Sequence, residues 1–363
     1  MIITKTPFRM SFFGGGTDMP EFFREHGGAV ISTTFDKYCY VTVRHLPRFF
    51  DYSTELSYSR IERVTDIDEL EHPAVRNAMK MLRMDELRIT YEADLPARSG
   101  LGTSSSFAVG MLNAFHGLKS HRYDLDAAGK KRLADEAIYL ERELCSEAGG
   151  WQDQIAASFG GFNKIVFGEK SGLPAAGQGD HGKTCSDGRT PDYDYRVIPI
   201  DISEKRKKEI NSSLMMFFTG FTRFSSDVQK ANASDGVDRT KQKLEMLSLV
   251  PEAEKILTCD SADLNDFGRL LDETWRLKRN SGAKVTTDGI DALYEKAKAA
   301  GALGGKLLGA GGGGFMVFYA EPGKQEQLKA ALSDFMYVPF EFEDKGTDTL
   351  YFAPETYERA ANV

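Results

Sequence analysis

Leu95-Pro96-Ala97-Arg98-Ser99-Gly100-Leu101-Gly102-Thr103-Ser104-Ser105-Ser106 is the stretch on which the fold turns. Before it, Leu87 to Glu92 alternates as a short strand. After it, Phe107, Met111, Ala114, Phe115 and Leu118 recur at helical spacing. The order is strand, Gly/Ser/Thr turn, amphipathic helix. Glycine lets a backbone approach a ligand closely. A helix N-terminus offers unpaired N–H groups and the positive end of its dipole. Together they make a phosphate cradle, to which the hydroxyls of Thr103, Ser104, Ser105 and Ser106 add donors or a metal ligand. A capped helix behind a flexible loop fits the same residues. Neither G-x-x-x-x-G-K-[ST] nor G-x-G-x-x-G occurs in the stretch, so it is neither a Walker loop nor a Rossmann turn.

Two further glycine segments flank this one at a distance. Pro7-Phe-Arg-Met-Ser-Phe-Phe-Gly-Gly-Gly-Thr-Asp18 is a strand ending in a glycine turn and an acid. By itself it also fits a hairpin with a helix-capping Asp. Gly304-Gly-Lys-Leu-Leu-Gly-Ala-Gly-Gly-Gly-Gly-Phe-Met-Val-Phe318 places a glycine run before an apolar strand. So many glycines cost chain entropy, which favours a backbone pressed against a ligand over a hinge. Leu133, Ala137, Leu140 and Leu144 form one apolar stripe on a helix over about 127–146.

At 363 residues the chain exceeds the size at which one core stops growing, so two domains are expected. A net charge of -8 argues against general nucleic-acid binding, which needs a basic face. Local donors can still hold a small anion inside an acidic protein. Cys39, Cys145, Cys185 and Cys259 are scattered, and no Cys/His spacing suggests zinc. With no apolar run long enough for a bilayer and no cleavable leader, a soluble cytoplasmic protein is expected. Residues 168–195, rich in Gly, Ser, Asp, Lys and Pro, suggest a surface or inserted loop. Beyond it, a strand at 214–219, helices near 230–249, 264–278 and 287–300, and strands at 314–319 and near Phe340 suggest an α+β unit with an antiparallel sheet.

Pro96-x-x-x-Gly100-Leu101-Gly102-Thr103-Ser104-Ser105 resembles the second motif of the GHMP kinases, P-x-x-x-G-L-G-S-S-A. Pro7, Arg9, Gly14, Thr17 and Asp18 are similar in register to their first motif, written P-G-R-V-N-L-I-G-E-H-T-D in galactokinases. Gly15 and Gly16 replace Glu-His, which argues against galactose. The G-G-G-T-D form resembles the branch holding D-glycero-D-manno-heptose 7-phosphate 1-kinase and fucokinase-like enzymes. The segment from Lys306 resembles the third motif, K-x-x-G-A-G-x-G-G. The three motifs fall in the family's order across nearly the whole chain.

The resemblance implies an N-terminal domain of about residues 1–165, with the fold of ribosomal protein S5 domain 2. It implies a loop over 166–195, a ferredoxin-like α+β domain over 196–345, and a tail over 346–363. It implies a kinase using ATP and Mg2+, acting alone or as a homodimer on a small sugar or sugar phosphate. Asp153, in Gly149-Gly-Trp-Gln-Asp-Gln154, resembles the catalytic base of galactokinases, and Arg9 would stabilise charge at the transferred phosphoryl group. Gly16, Thr17 and Asp18 would meet the sugar. Pro96, Ser99, Gly100, Leu101, Gly102, Thr103, Ser104, Ser105, Gly311 and Gly312 would surround ATP. Ser104 and Glu141, with Glu143 as the alternative, would hold Mg2+. Glu141 lies on the apolar stripe, where a carboxylate is costly unless it meets a cation. Arg98, Thr219, Thr222 and Arg223 would hold a phosphate at the acceptor's far end. Heptose 7-phosphate is the first acceptor expected. Fucose or another hexose, a non-catalytic sensor of sugar and nucleotide, and a mevalonate-type decarboxylase are the rivals.

Overall fold

The computed structural model describes residues 1–97, 99–120, 125–169, 193–220, 238–280, 282 and 285–354. β1 (Ile2–Phe13) and β2 (Gly28–His45) pair antiparallel along most of their length. The register slips after Pro7: Pro7 faces Tyr38 and Phe8 faces Phe35, so Asp36 and Lys37 bulge from β2. Proline has no N–H for a ladder, and a bulge is where a strand tolerates it. The bulge also divides β2. A hairpin of β3 (Thr54–Ser57) and β4 (Ile61–Val64) leads to β5 (Leu87–Ala93), which pairs Cys39–His45. β6 (Asn163–Glu169) pairs Gly28–Ser32 on the other side of the bulge, and β7 (Tyr193–Pro199) pairs β6. The loop expected over 166–195 therefore begins and ends in strands, and its residues 170–192 lie outside the described ones.

Helices α1 (Pro20–His26), α2 (Pro73–Leu82), α3 (Thr103–Ser120), α4 (Ala127–Tyr139) and α5 (Gln152–Phe159) accompany this sheet. α3 packs on β1 and β2 and is buried on nearly every side from Thr103 to Leu118. The helix expected over 127–146 is not uniform. After Tyr139 it widens into a π-helical turn at Leu140–Leu144. Such turns often mark functional sites, because the extra residue re-aims its neighbours.

After α6 (Glu204–Ser213), the strands β8 (Leu214–Phe218), β9 (Gly304–Leu307), β10 (Phe315–Tyr319) and β11 (Met336–Val338) form a second sheet. Its order is β11-β8-β10-β9, and every pair is antiparallel. Between β8 and β9 run α7 (Thr240–Thr258), α8 (Asn265–Arg279) and α9 (Asp288–Ala299), and α10 (Gln325–Ala331) precedes β11. Counting the four strands in chain order, the sheet runs 4-1-3-2, the ferredoxin-like arrangement. Side chains alternate between faces in a strand. Met215, Phe217, Met316 and Phe318 join Trp275, Ile290 and Leu293 in one core. Leu214, Met216, Phe315, Val317 and Tyr319 join the core shared with α3 and β1. Burial on both faces explains why these strands read as unbroken apolar runs.

The chain then returns. β12 (Phe342–Glu343) pairs β2, and β13 (Asp348–Phe352) pairs β1. Residues expected as a tail from 346 onward thus supply an edge strand of the first sheet. Thr6 and Thr347 share a buried hydrogen bond of 2.8 Å, which locks the return in place. Among the described residues no helix is long and apolar enough to cross a membrane.

Candidate active site

β13 covers β1 only from Ile2 to Lys5. Beyond Lys5 that flank is open, and the glycine turn before α3 fills it: Arg9 N donates to Leu101 O at 3.1 Å. The third glycine segment presses on the same turn. A Cβ on Gly100 would lie 2.5 Å from Leu308 O, and one on Gly314 would lie 2.1 Å from Ser99 O. Both residues have positive φ, at 81° and 103°. Only glycine fits where two backbones cross so closely.

Arg9 sits at the crossing and is 4% exposed. Its Nε donates to Asp153 Oδ1 at 2.7 Å, Nη2 to Asp153 Oδ2 at 2.9 Å, and Nη1 to Gly100 O at 2.8 Å. This fork fixes the Asp153 carboxylate at the start of α5, beside Gly102. Lys306 Nζ donates to Phe12 O at 2.7 Å, and Lys278 Nζ donates to Leu307 O at 2.8 Å and to Gly309 O. Each of these three basic side chains, Arg9 and Lys306 buried and Lys278 half-buried, thus holds a carbonyl in or beside a different glycine segment. Burial pulls the Lys278 ammonium down to about 7, with Arg9's charge adding to it, and holds Lys306 well below an ordinary lysine. Three basic side chains meet at one crossing, and an anion bound there would favour their charged forms.

Glu141 points inward from the π-helical turn and is 3% exposed, whereas Glu143 faces out. Ser104 Oγ donates to it at 2.8 Å and Ser105 Oγ at 2.7 Å, with Gln154 Nε2 as a third donor. Burial, and then the nearby Glu147 charge, push its carboxyl up to about 7. A carboxylate so placed gains from a cation. The Glu141 carboxylate and the Ser104 hydroxyl are oxygen ligands of the kind Mg2+ takes, one or two carboxylates with water and phosphate completing the shell. The described residues contain no cluster of three or more His, Cys, Asp or Glu that could hold a metal.

The remaining residues of the glycine turn differ in exposure. Pro96 is exposed, Leu101 is fully buried in the core, and Thr103 is buried at the start of α3. Ser99 is also fully buried, and its Oγ has no partner among the described residues. Gly311 and Gly312 lie against Val285, where Gly312 N donates to Val285 O at 2.9 Å.

Of the residues expected at the sugar, Asp18 is 3% exposed and accepts from Gly16 N at 3.0 Å and Gln152 N at 3.3 Å. Gly150 permits this, since a Cβ there would stand 1.8 Å from Asp18 Oδ2. Burial and then Asp153's charge push the Asp18 carboxyl above the usual range. Thr17 is fully buried, and its hydroxyl donates to Gly14 O and Ala29 O at 2.8 and 2.9 Å, closing the turn. Thr219 is engaged in a similar way. Its N–H and hydroxyl both bond Gly314 O at 2.9 Å, so it anchors the third glycine segment to β8. Arg98, Thr222 and Arg223 lie outside the described residues.

Lys278 escaped the sequence reading although its signal was present. Phe267, Leu271 and Trp275 continue to Lys278 at spacings of four, four and three, so the lysine ends a buried stripe. Its titration gives a stability test. Unfolded, it titrates near ~10.4. Above pH 7 the folded chain releases this proton while the unfolded chain keeps it, so stability rises with pH between about 7 and ~10.4. Relative to Lys278→Met, the wild type is expected to gain on the order of 1–3 kcal/mol between pH 6.5 and 9.5 in urea titrations. Parallel curves for the two proteins would remove the buried ammonium from the account.

Comparison with known proteins agrees with this geometry. The GHMP kinases N terminal domain is matched over residues 71–161, and the GHMP kinases C terminal domain over residues 251–338. The chain is 29% identical over 346 residues to the D-glycero-alpha-D-manno-heptose 7-phosphate kinase of Campylobacter jejuni, covering 91% of this chain and 93% of the relative. It is 26% identical to the bifunctional fucokinase/GDP-fucose pyrophosphorylase of Arabidopsis thaliana, covering 68% of this chain and 21% of that protein. The crystal structure of a D-glycero-D-manno-heptose 1-phosphate kinase from Bacteroides thetaiotaomicron shares the fold. Its TM-score is 0.71 at 24% identity, covering 97% of this chain and 100% of that one.

Proposed function

Because this chain belongs to the GHMP kinases and is a sugar kinase, we propose that it transfers the γ-phosphate of ATP to the anomeric hydroxyl of a sugar phosphate. The acceptor we favour is D-glycero-D-manno-heptose 7-phosphate, giving the 1,7-bisphosphate. The observation that carries the reading is the meeting of all three glycine segments at the Arg9–Asp153 fork. Likeness to the Campylobacter heptose 7-phosphate kinase across 91% of the chain supports the choice of acceptor.

In this reading the acceptor hydroxyl lies against Asp153, which takes its proton as the new O–P bond forms. The bond from the γ-phosphorus to the bridging oxygen breaks, and its electron pair leaves with ADP. Arg9 holds the carboxylate in place and offsets charge growing on the phosphoryl oxygens. The amides of Gly100 to Ser104 at the start of α3 receive the nucleotide phosphates. Ser104 and Glu141 would hold Mg2+, which when bound neutralises phosphate charge.

ADP release should be measured against heptose 7-phosphate, the unphosphorylated heptose, fucose, galactose and mevalonate. We expect kcat/KM for heptose 7-phosphate to exceed the others by at least ~100-fold, since a site built for an anionic group leaves charges unpaired when the group is missing. A preference for fucose, to which the Arabidopsis relative points, would replace the acceptor and leave the kinase in place.

A further inference from the structure

We propose that Lys243 selects the phosphorylated acceptor, by receiving the phosphate at the end of the sugar remote from the reacting hydroxyl. The proposal rests on the acceptor reading above and adds the residue that enforces it.

Three groups follow one another outward from the fork, linked by Gln152 and Gly16, whose amides both bond Asp18. The Arg9–Asp153 fork marks the reacting end. Asp18 comes next, close enough to feel Asp153's charge. Lys243, on the first turn of α7, lies beyond it. Lys243 approaches Gly16, whose N donates to Asp18 Oδ1 at 3.0 Å. Its Cε lies 4.0 Å from where a Cβ on Gly16 would stand, and its Nζ lies 5.5 Å from the Phe22 ring centre.

The ground between Asp18 and Lys243 is open. Gly14 is a glycine because of packing, since a Cβ there would lie 1.9 Å from Ala29 O. Gly16 has a backbone reason to be glycine, a φ of 90°, but neither it nor Gly15 is crowded. A Cβ on Gly15 would meet nothing nearer than Ser11 Oγ at 3.9 Å, and one on Gly16 nothing nearer than Lys243. Ser11 Oγ is itself buried without a hydrogen-bond partner among the described residues. An unpartnered hydroxyl thus lies beside Gly15 and an ammonium-bearing side chain beside Gly16, on consecutive residues of one turn.

The ammonium is short of partners. Among the described residues it makes no side-chain hydrogen bond or ion pair, and its Nζ stands over the Phe22 ring at 5.5 Å. Burial draws its pKa down although Asp18 and Glu21 attract the proton. A phosphate dianion supplies the missing partner and accepts from Ser11 as well. A sugar with its anomeric hydroxyl at Asp153 and its ring beside Asp18 presents its far end here.

The test compares wild type with Lys243→Ala, Lys243→Gln and Lys243→Arg by steady-state ADP release. Two acceptors are used: D-glycero-D-manno-heptose 7-phosphate and the same heptose without phosphate. A lost charge-assisted bond should raise the KM for the phosphosugar about 10- to 100-fold in the Ala and Gln variants. The KM for ATP and the KM for the free heptose should move less than ~3-fold, and Lys243→Arg should recover most of the phosphosugar KM. Lys243 lies on a half-open helix face, and the Gln variant guards against a folding defect in the Ala variant. Equal loss on both acceptors would mean that Lys243 acts through Asp18 on hydroxyls, which overturns the proposal. So would variants that keep the wild-type preference for the phosphosugar. If the wild type itself shows no such preference, the acceptor reading is what fails.

Discussion

Asp153→Asn is expected to lower kcat by about two to four powers of ten while ATP affinity changes by less than ~3-fold. Its carboxylate is the most open of the three acids, with a side chain 27% exposed, whereas Glu141 and Asp18 are each 3% exposed. Asparagine keeps the shape and one acceptor oxygen. Its amide cannot accept from Arg9 Nη2 or receive the acceptor's proton. ATP binding should survive because the phosphates depend on backbone amides of the loop before α3, and their geometry is set by the Gly100–Leu308 and Gly314–Ser99 contacts. Losing the carboxylate also leaves the buried Arg9 guanidinium without its counter-charge, a cost of up to about 3–5 kcal/mol of stability, so thermal melting must show the variant folded before its rate is read. Rapid-quench measurement of single turnovers separates chemistry from release. A fall below tenfold at saturating acceptor would reduce Asp153 to an orienting group, with positioning carrying the rate.

Much of this site was legible because its chemistry requires unusual residues in visible patterns. A glycine run before an apolar strand and a glutamate on a buried stripe are costly, and each led to a residue at the crossing. Lys278 carried the same mark and was overlooked, because a basic residue in the last turn of a helix also suits the helix dipole. Thr17 and Thr219 have structural roles that the sequence does not show. Their hydroxyls beside glycines resemble ligand donors, and only three-dimensional contacts reveal that Gly14 O, Ala29 O and Gly314 O engage them. Lys243 had no local signal at all: it sits among Lys241, Gln242 and Glu245 on a polar helical turn, and its value comes from Gly16, more than two hundred residues earlier. The return of β13 was hidden similarly. Asp348–Phe352 is a short, half-exposed strand whose only reason to pair is the open flank of β1.

Arg9→Met should be as damaging as the loss of Asp153, and the two losses should not multiply. Methionine preserves the aliphatic packing of Arg9 against Gly102, where a Cβ would already lie 3.2 Å from Arg9 Cγ. It removes the fork on Asp153 and the donor to Gly100 O at once. Removing one partner of a buried pair leaves the other charge uncompensated, at a cost of about 3–5 kcal/mol. If that cost falls on the transition state, kcat/KM drops by roughly two to four powers of ten. Arg9→Lys keeps the charge and loses the planar fork, so it should recover part of the rate and leave Asp153 less well held. Groups that act as a unit show strong non-additivity. Arg9→Met combined with Asp153→Asn is therefore expected to be about as slow as the slower single variant, a coupling of at least ~2 kcal/mol. Multiplicative losses, additive in free energy to within ~0.5 kcal/mol, would mean that Arg9 serves the phosphoryl group and Asp153 the hydroxyl independently. In that case the fork between them would be a feature of the ligand-free protein that opens before reaction.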